Sequence, residues 1–79
     1  PYCYIKPGSK GGLQRGNILY VYHKGEELID PDTGISLGSE ETRIGKIQVL
    51  DATIGDGQAS KCLIIEGSGM TRGDLVKVK

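Results

Sequence analysis

The chain has 79 residues, 37% hydrophobic and 5% aromatic, with ten Lys and Arg against ten Asp and Glu. This length bounds it to one domain, near the lower limit at which a core holds without staples. Zero net charge removes the basic excess expected of a domain that lives on phosphate backbones, and no run nears the roughly 18 apolar residues of a membrane span.

Thirteen Gly and three Pro, with no Trp or Phe, fit short strands joined by tight turns. Low-complexity disorder fails as an explanation, because the glycines separate patterned apolar segments instead of forming a tract. Starting at Pro1 rather than Met, the sequence is expected to be a processed product or an excised piece of something longer, the C-terminal part if the resemblance described below holds, with 1–79 as one small β-barrel domain.

Tyr2-Cys3-Tyr4-Ile5-Lys6 reads as a short strand, Tyr2 and Tyr4 on one face, Cys3 and Ile5 on the other. A loop, Pro7 to Gly12, leads into the phrase Gly12-Leu13-Gln14-Arg15-Gly16-Asn17-Ile18. Ile18 to His23 follows as a β-branched and aromatic strand, which Lys24-Gly25 is predicted to end.

Glu27 to Asp30 and Ile35 to Leu37 flank Pro31-Asp32-Thr33-Gly34, a hairpin signal. Pro31 presets φ, Asp30 accepts a backbone N–H, and Gly34 leaves the turn with positive φ. Gly38 to Glu41 reads as a second turn.

Thr42 to Ile54 is the longest strand signal. Ile47 and Val49 share a face, whereas Ala52 and Ile54 have the opposite parity, so a bulge near Leu50-Asp51 is expected to turn the later pair inward. Gly55-Asp56-Gly57 makes the next turn. Gln58 to Glu66 is a strand apolar on both parities at Leu63-Ile64-Ile65, hence central.

The phrase then recurs as Gly69-Met70-Thr71-Arg72-Gly73-Asp74-Leu75, running into a last strand, Leu75 to Lys79. Each copy supplies an apolar plug, a polar turn, a glycine (Gly16, Gly73) suited to positive φ, and Asn17 or Asp74 at the strand entry. Five to seven short antiparallel strands follow from this punctuation. The expected fold is all-β, a small SH3-like barrel, with an OB-like barrel as the alternative.

Catalysis is hard to build from these residues. His23 is the sole conventional base, and no nucleophile or acid stands at a spacing that argues for partnership. No catalytic, cofactor-binding or metal-ligating set is expected. Asp30 to Gly34 has the outline of a calcium loop, but Gly34 stands where the third acid is needed, and turn chemistry explains the same residues.

Cys3 and Cys62 are too few for a structural zinc site. They are either one disulfide or two buried thiols. Arg15 and Arg72 stand at equivalent places in the two phrases, to hold an anion or to clamp their own turns through carbonyls, the second being preferred.

Tyr2, Tyr4, Tyr20 and Tyr22 form the candidate interaction surface. If their strands pair, the four rings make a ladder suited to peptides, glycans or unstacked bases. Alternatively they supply bulk to a chain without Phe or Trp.

The order of signals from Gly12 to Lys79 resembles the SH3-like C-terminal domain of flagellar assembly protein T. The matching residues are Leu19 to Tyr22, Asp30 to Gly34, Leu37-Gly38, Ile44 to Val49, Ala59, and Gly73 to Val76. Related modules end curli-assembly-like and lysin-motif-bearing envelope proteins. The resemblance implies a noncatalytic module in the periplasm or at the outer membrane, acting on a protein partner without inserting into a membrane. A nucleic-acid or cell-wall glycan module is the alternative, the even charge disfavouring nucleic acid.

Overall fold

The computed structural model describes residues 1–78. They form five strands: β1 (Tyr2–Ile5), β2 (Ile18–Ile29), β3 (Ser36–Thr53), β4 (Ala59–Gly67) and β5 (Leu75–Val78). All pair antiparallel in a single sheet of order β1-β4-β3-β2-β5. The chain is all-β, with one 3-10 turn at Ser9–Gly11 and a four-residue turn at Ile54–Gly57. β1 and β5 are the edges and do not pair with each other, so the sheet stays open along one seam. Lys79, expected at the end of the last strand, lies outside the described residues.

The core follows from period-two alternation. Leu19 and Val21 of β2, Ile47 and Val49 of β3, and Cys62 of β4 are buried. The register places Leu19 against Ile47, Ile47 against Ile64 and Val49 against Cys62. Apolar side chains therefore meet across each ladder, and each one fully buried stabilises the fold by about 1.5–3 kcal/mol. Leu13 enters this cluster from the first phrase, and Met70 packs on it, partly buried, from the second. Ser60, buried among them, donates its hydroxyl to the Pro7 carbonyl at 3.0 Å.

The β3–β4 register shifts between Val49 and Asp51, and Ala52 turns inward and is buried. This is the bulge that the parity of Ile47, Val49 and Ala52 required. Ile54, half-buried, bridges to Ala59, and the chain reverses through Gly55 and Asp56 at φ of 60° and 58°.

Two expected breaks are absent. Lys24-Gly25 does not end its strand, and Gly38 to Glu41 is not a turn. β2 runs on to Ile29 and β3 already begins at Ser36. Lys24 pairs with Glu41, Glu27 with Ser39 and Ile29 with Ser36, with register shifts taking up the unequal residues. Gly38, at φ 94°, sits in one of those shifts. A glycine at positive φ inside a strand makes a bulge there, not a stop.

The outcome is a β-hairpin arm, residues 24–42, continuous with the body. The radius of gyration is 14.7 Å with a longest extent of 47 Å, against roughly 12 Å for a compact chain of this length. At its tip Asp30 N–H donates to the Ile35 carbonyl at 2.9 Å and Gly34 N–H to the Asp30 carbonyl at 2.8 Å. The Asp30 carboxylate accepts from Asp32 N–H at 2.8 Å, and Gly34 has φ 74°. Pro31 stands inside this turn, where its fixed φ and missing N–H cost nothing.

Candidate interaction surfaces

The two copies of the repeated phrase fold alike. Gln14 N–H donates to Asn17 Oδ1 at 2.8 Å while Asn17 N–H donates to the Gln14 carbonyl at 3.1 Å. Thr71 N–H donates to Asp74 Oδ2 at 2.9 Å while Asp74 N–H donates to the Thr71 carbonyl at 3.2 Å. Gly16 and Gly73 have φ of 93° and 97°, a region in which a Cβ is strained. The first copy is also tied to β3 by Gly16 N–H to the Val49 carbonyl at 2.8 Å and Val49 N–H to the Asn17 carbonyl at 2.9 Å.

Asp74 differs from Asn17 by carrying charge. Its Oδ1 lies 3.0 Å from His23 Nδ1. The Thr71 backbone N–H, followed by the His23 bond, holds this carboxyl below its ordinary value of 3.8. Both oxygens are thus engaged in ordering a turn and the neighbouring strand. Neither Arg15 nor Arg72 clamps its turn: their guanidinium groups make no hydrogen bond among the described residues.

The four-tyrosine ladder does not form. Tyr2 and Tyr4 lie on β1, which pairs with β4, whereas Tyr20 and Tyr22 lie on β2, which pairs with β3 and β5. Two strands separate the pairs. All four rings alternate with inward residues and face outward, Tyr2 and Tyr4 exposed and Tyr20 and Tyr22 half-buried. Three are covered by cations instead: Arg43 sits 3.9 Å from the Tyr20 ring centre, Lys61 Nζ 4.6 Å from Tyr2 and Lys77 Nζ 5.0 Å from Tyr22.

Cys3 and Cys62 are free thiols directly opposite each other in the β1–β4 ladder. Burial pushes the Cys62 thiol up to about 12, the nearby Cys3 adding to it. Burial also raises Cys3, partly offset by its hydrogen bond with Cys62.

The open seam holds a groove of about 890 Å³. One wall comes from β1 and its exit (Cys3, Ile5, Lys6), the other from the second phrase and β5 (Met70, Arg72, Val76). Val21 and Ile47 reach its floor. The groove thus presents half-buried apolar side chains, Cys3, Ile5, Met70 and Val76, between two unpaired strand edges, with the buried core directly beneath.

The arm carries the other exposed apolar surface. Leu28, Ile29, Ile35 and Leu37 are 49%, 51%, 63% and 65% exposed, and none belongs to the core. With Ile29 paired to Ser36, alternation places Leu28 and Leu37 on the opposite face from them. The acidic stretch of the sequence, Glu26 to Asp32, falls on this arm. Six of the ten acids and one base lie between Lys24 and Thr42, leaving nine bases against four acids in the rest of the sequence. Of those six acids, Glu41 is paired, its Oε1 2.6 Å from Lys77 Nζ; the other five make no ion pair among the described residues.

Among the described residues no three His, Cys, Asp or Glu side chains gather as a metal site requires. No family model, curated protein or solved structure matches the chain.

Proposed function

We propose that the chain is a noncatalytic protein-interaction module of a bacterial cell-envelope or flagellar-assembly protein, with the hairpin arm as its contact element. One observation carries this reading: Leu28, Ile29, Ile35 and Leu37 stand exposed at the end of two strands whose roots are the core. Four exposed aliphatic side chains within ten residues, on both faces of the arm, are more than isolated surface apolar residues and suit a surface that is covered in use. The unpaired acids around them, Glu26, Glu27, Asp30 and Asp32, select a partner with an apolar patch rimmed by Lys or Arg.

The body beneath the arm reads as an SH3-like barrel left open between β1 and β5, an OB-like barrel being the alternative. The resemblance to the flagellar assembly protein T domain supports a place in the periplasm or at the outer membrane. A photo-crosslinking residue at Leu37, in the native bacterium, tests the reading. The expected result is a discrete crosslinked protein that disappears when Glu26, Glu27, Asp30 and Asp32 become Lys. Equal crosslinking from Lys10 on the body would end it.

A second reading rests on the outward tyrosines. Tyr2, Tyr20 and Tyr22, each beside Lys or Arg, give the sheet a cationic aromatic face of the kind that holds single-stranded nucleic acid. Salt-sensitive retention on single-stranded RNA, lost in Tyr20→Ala, would move the assignment there.

A further inference from the structure

We infer that the arm of one copy docks in the seam groove of a second copy, so that the protein assembles head to tail. This rests on the arm being the contact element, as proposed above. The argument is one of complementarity between two surfaces that a single chain cannot join to itself. The arm leads away from the body, whereas the groove lies in the body between β1 and β5.

The arm offers Leu28 and Leu37 with Glu26, Glu27, Asp30 and Asp32 beside them. The groove offers the half-buried Cys3, Ile5, Met70 and Val76, with Lys6 on one wall and Arg72 on the other; the one acid among its lining residues, Asp74, has both oxygens engaged by His23 and the Thr71 N–H. Neither cation makes an ion pair among the described residues. Backbone geometry adds to this match. β1 and β5 each leave one row of N–H and C=O groups unpaired, and so do both strands of the arm. Adding a strand to such an edge satisfies both rows at once.

An arm-to-groove contact is heterologous: the donor surface differs from the acceptor surface. Each copy keeps one free arm and one free groove, so growth continues as a chain unless the rotation closes a ring. A neutral protein with an acidic arm and a basic remainder is suited to this, because successive copies meet with opposite charge.

The test is sedimentation of the purified chain alone. At about 0.05 M salt, weight-average mass is expected to climb with concentration; at about 0.5 M, where charge is screened within a few Å, association weakens at least tenfold. Two variants sharpen it. Replacing residues 25–40 by Asn-Gly removes the arm and keeps the groove. K6E with R72E keeps the arm and spoils the groove. Each is expected to be monomeric alone. The arm-less variant mixed with wild type caps growth, and the two variants mixed pair one to one and grow no further, the intact arm of one filling the intact groove of the other. Charge reversal in the arm (E26K, E27K, D30K, D32K) mixed with K6E/R72E is expected to restore pairing.

A wild-type chain that stays monomeric at about 0.5 mM and low salt overturns the inference, since an assembly contact weaker than that has no use. Failure of the charge-swapped pair to associate overturns it as well. The broader reading is judged separately: a monomeric chain whose Leu37 still crosslinks to another protein loses the second copy as its occupant but keeps the arm as its contact element.

Discussion

Cys3 of β1 and Cys62 of β4 are direct cross-strand partners, with Cys62 fully buried and Cys3 open towards the seam. The pair therefore decides how firmly an edge strand of only four residues is held. Mild oxidation is expected to join them within one chain, read as loss of two hydrogens in the intact mass. Such a bond closes most of the chain into a loop and would raise stability by up to about 4 kcal/mol. Oxidised protein that melts lower than reduced protein would show that the ladder cannot accommodate the bond.

Reduced, the same pair sets a response to alkali. Unfolded thiols ionise near 9.0, whereas burial holds Cys62 protonated to about 12 and raises Cys3. Above 9.0 the folded state thus binds more protons than the unfolded one. Stability is expected to fall as pH rises from 9.0 towards 12, less steeply in Cys62→Ala. Urea unfolding across that window checks it.

Gly8→Ala is expected to destabilise by about 1–3 kcal/mol through overpacking. A Cβ there would overlap the carbonyl oxygens of Ala52, Gly57 and Ala59, all backbone and none free to swing away. An unchanged urea midpoint would mean that the Pro7–Gly12 loop lifts off the body at no cost.

The two phrase turns separate by charge. Asn17→Ala loses one side-chain acceptor and should cost about 0.5–1.5 kcal/mol at any pH. Asp74 has a folded value held below 3.8 by Thr71 N–H and then His23. Its contribution is complete above 3.8 and is lost as pH falls through the lower folded value. Asp74→Asn is expected to flatten the acid limb of the stability curve, which Asn17→Ala leaves in place.

Removing the arm should leave the body folded. Lys24 and Glu41 are direct partners, so Asn-Gly in place of residues 25–40 gives a two-residue hairpin turn. No core residue is lost and the Lys77 pair of Glu41 is retained. The thermal midpoint is expected to move by less than about 4 °C, the equivalent of roughly 1 kcal/mol in a domain this size.

What could be read in the sequence was local. The repeated phrase carries its own hydrogen-bond chemistry within four residues, so Gln14 to Asn17 and Thr71 to Asp74 announced the same turn twice. The bulge after Val49 followed from parity, and the arm tip from Asp30, Pro31 and Gly34. Gly25 and Gly38 misled because glycine marks bulges as well as ends, and cross-strand register decides between them. The tyrosine ladder failed for a related reason: Tyr4 and Tyr20 are near in sequence, but β1 pairs with β4, a long-range choice that no local pattern encodes. The acidic stretch from Glu26 to Asp32 was legible, but not its separation from the body, because that follows from β2 and β3 running on past Gly25 and Gly38.

β3 is a single strand of 18 residues that forms half of the arm and then the centre of the sheet. A tug on the arm tip is therefore delivered along continuous strands, through the bulges at the root of the arm, to the buried Leu19, Val21, Ile47 and Val49. β4 and β5 flank that pair and resist by sliding in shear, many ladder bonds sharing the load, instead of unzipping one at a time. Anything that grips the tip thereby pulls on the centre of the sheet.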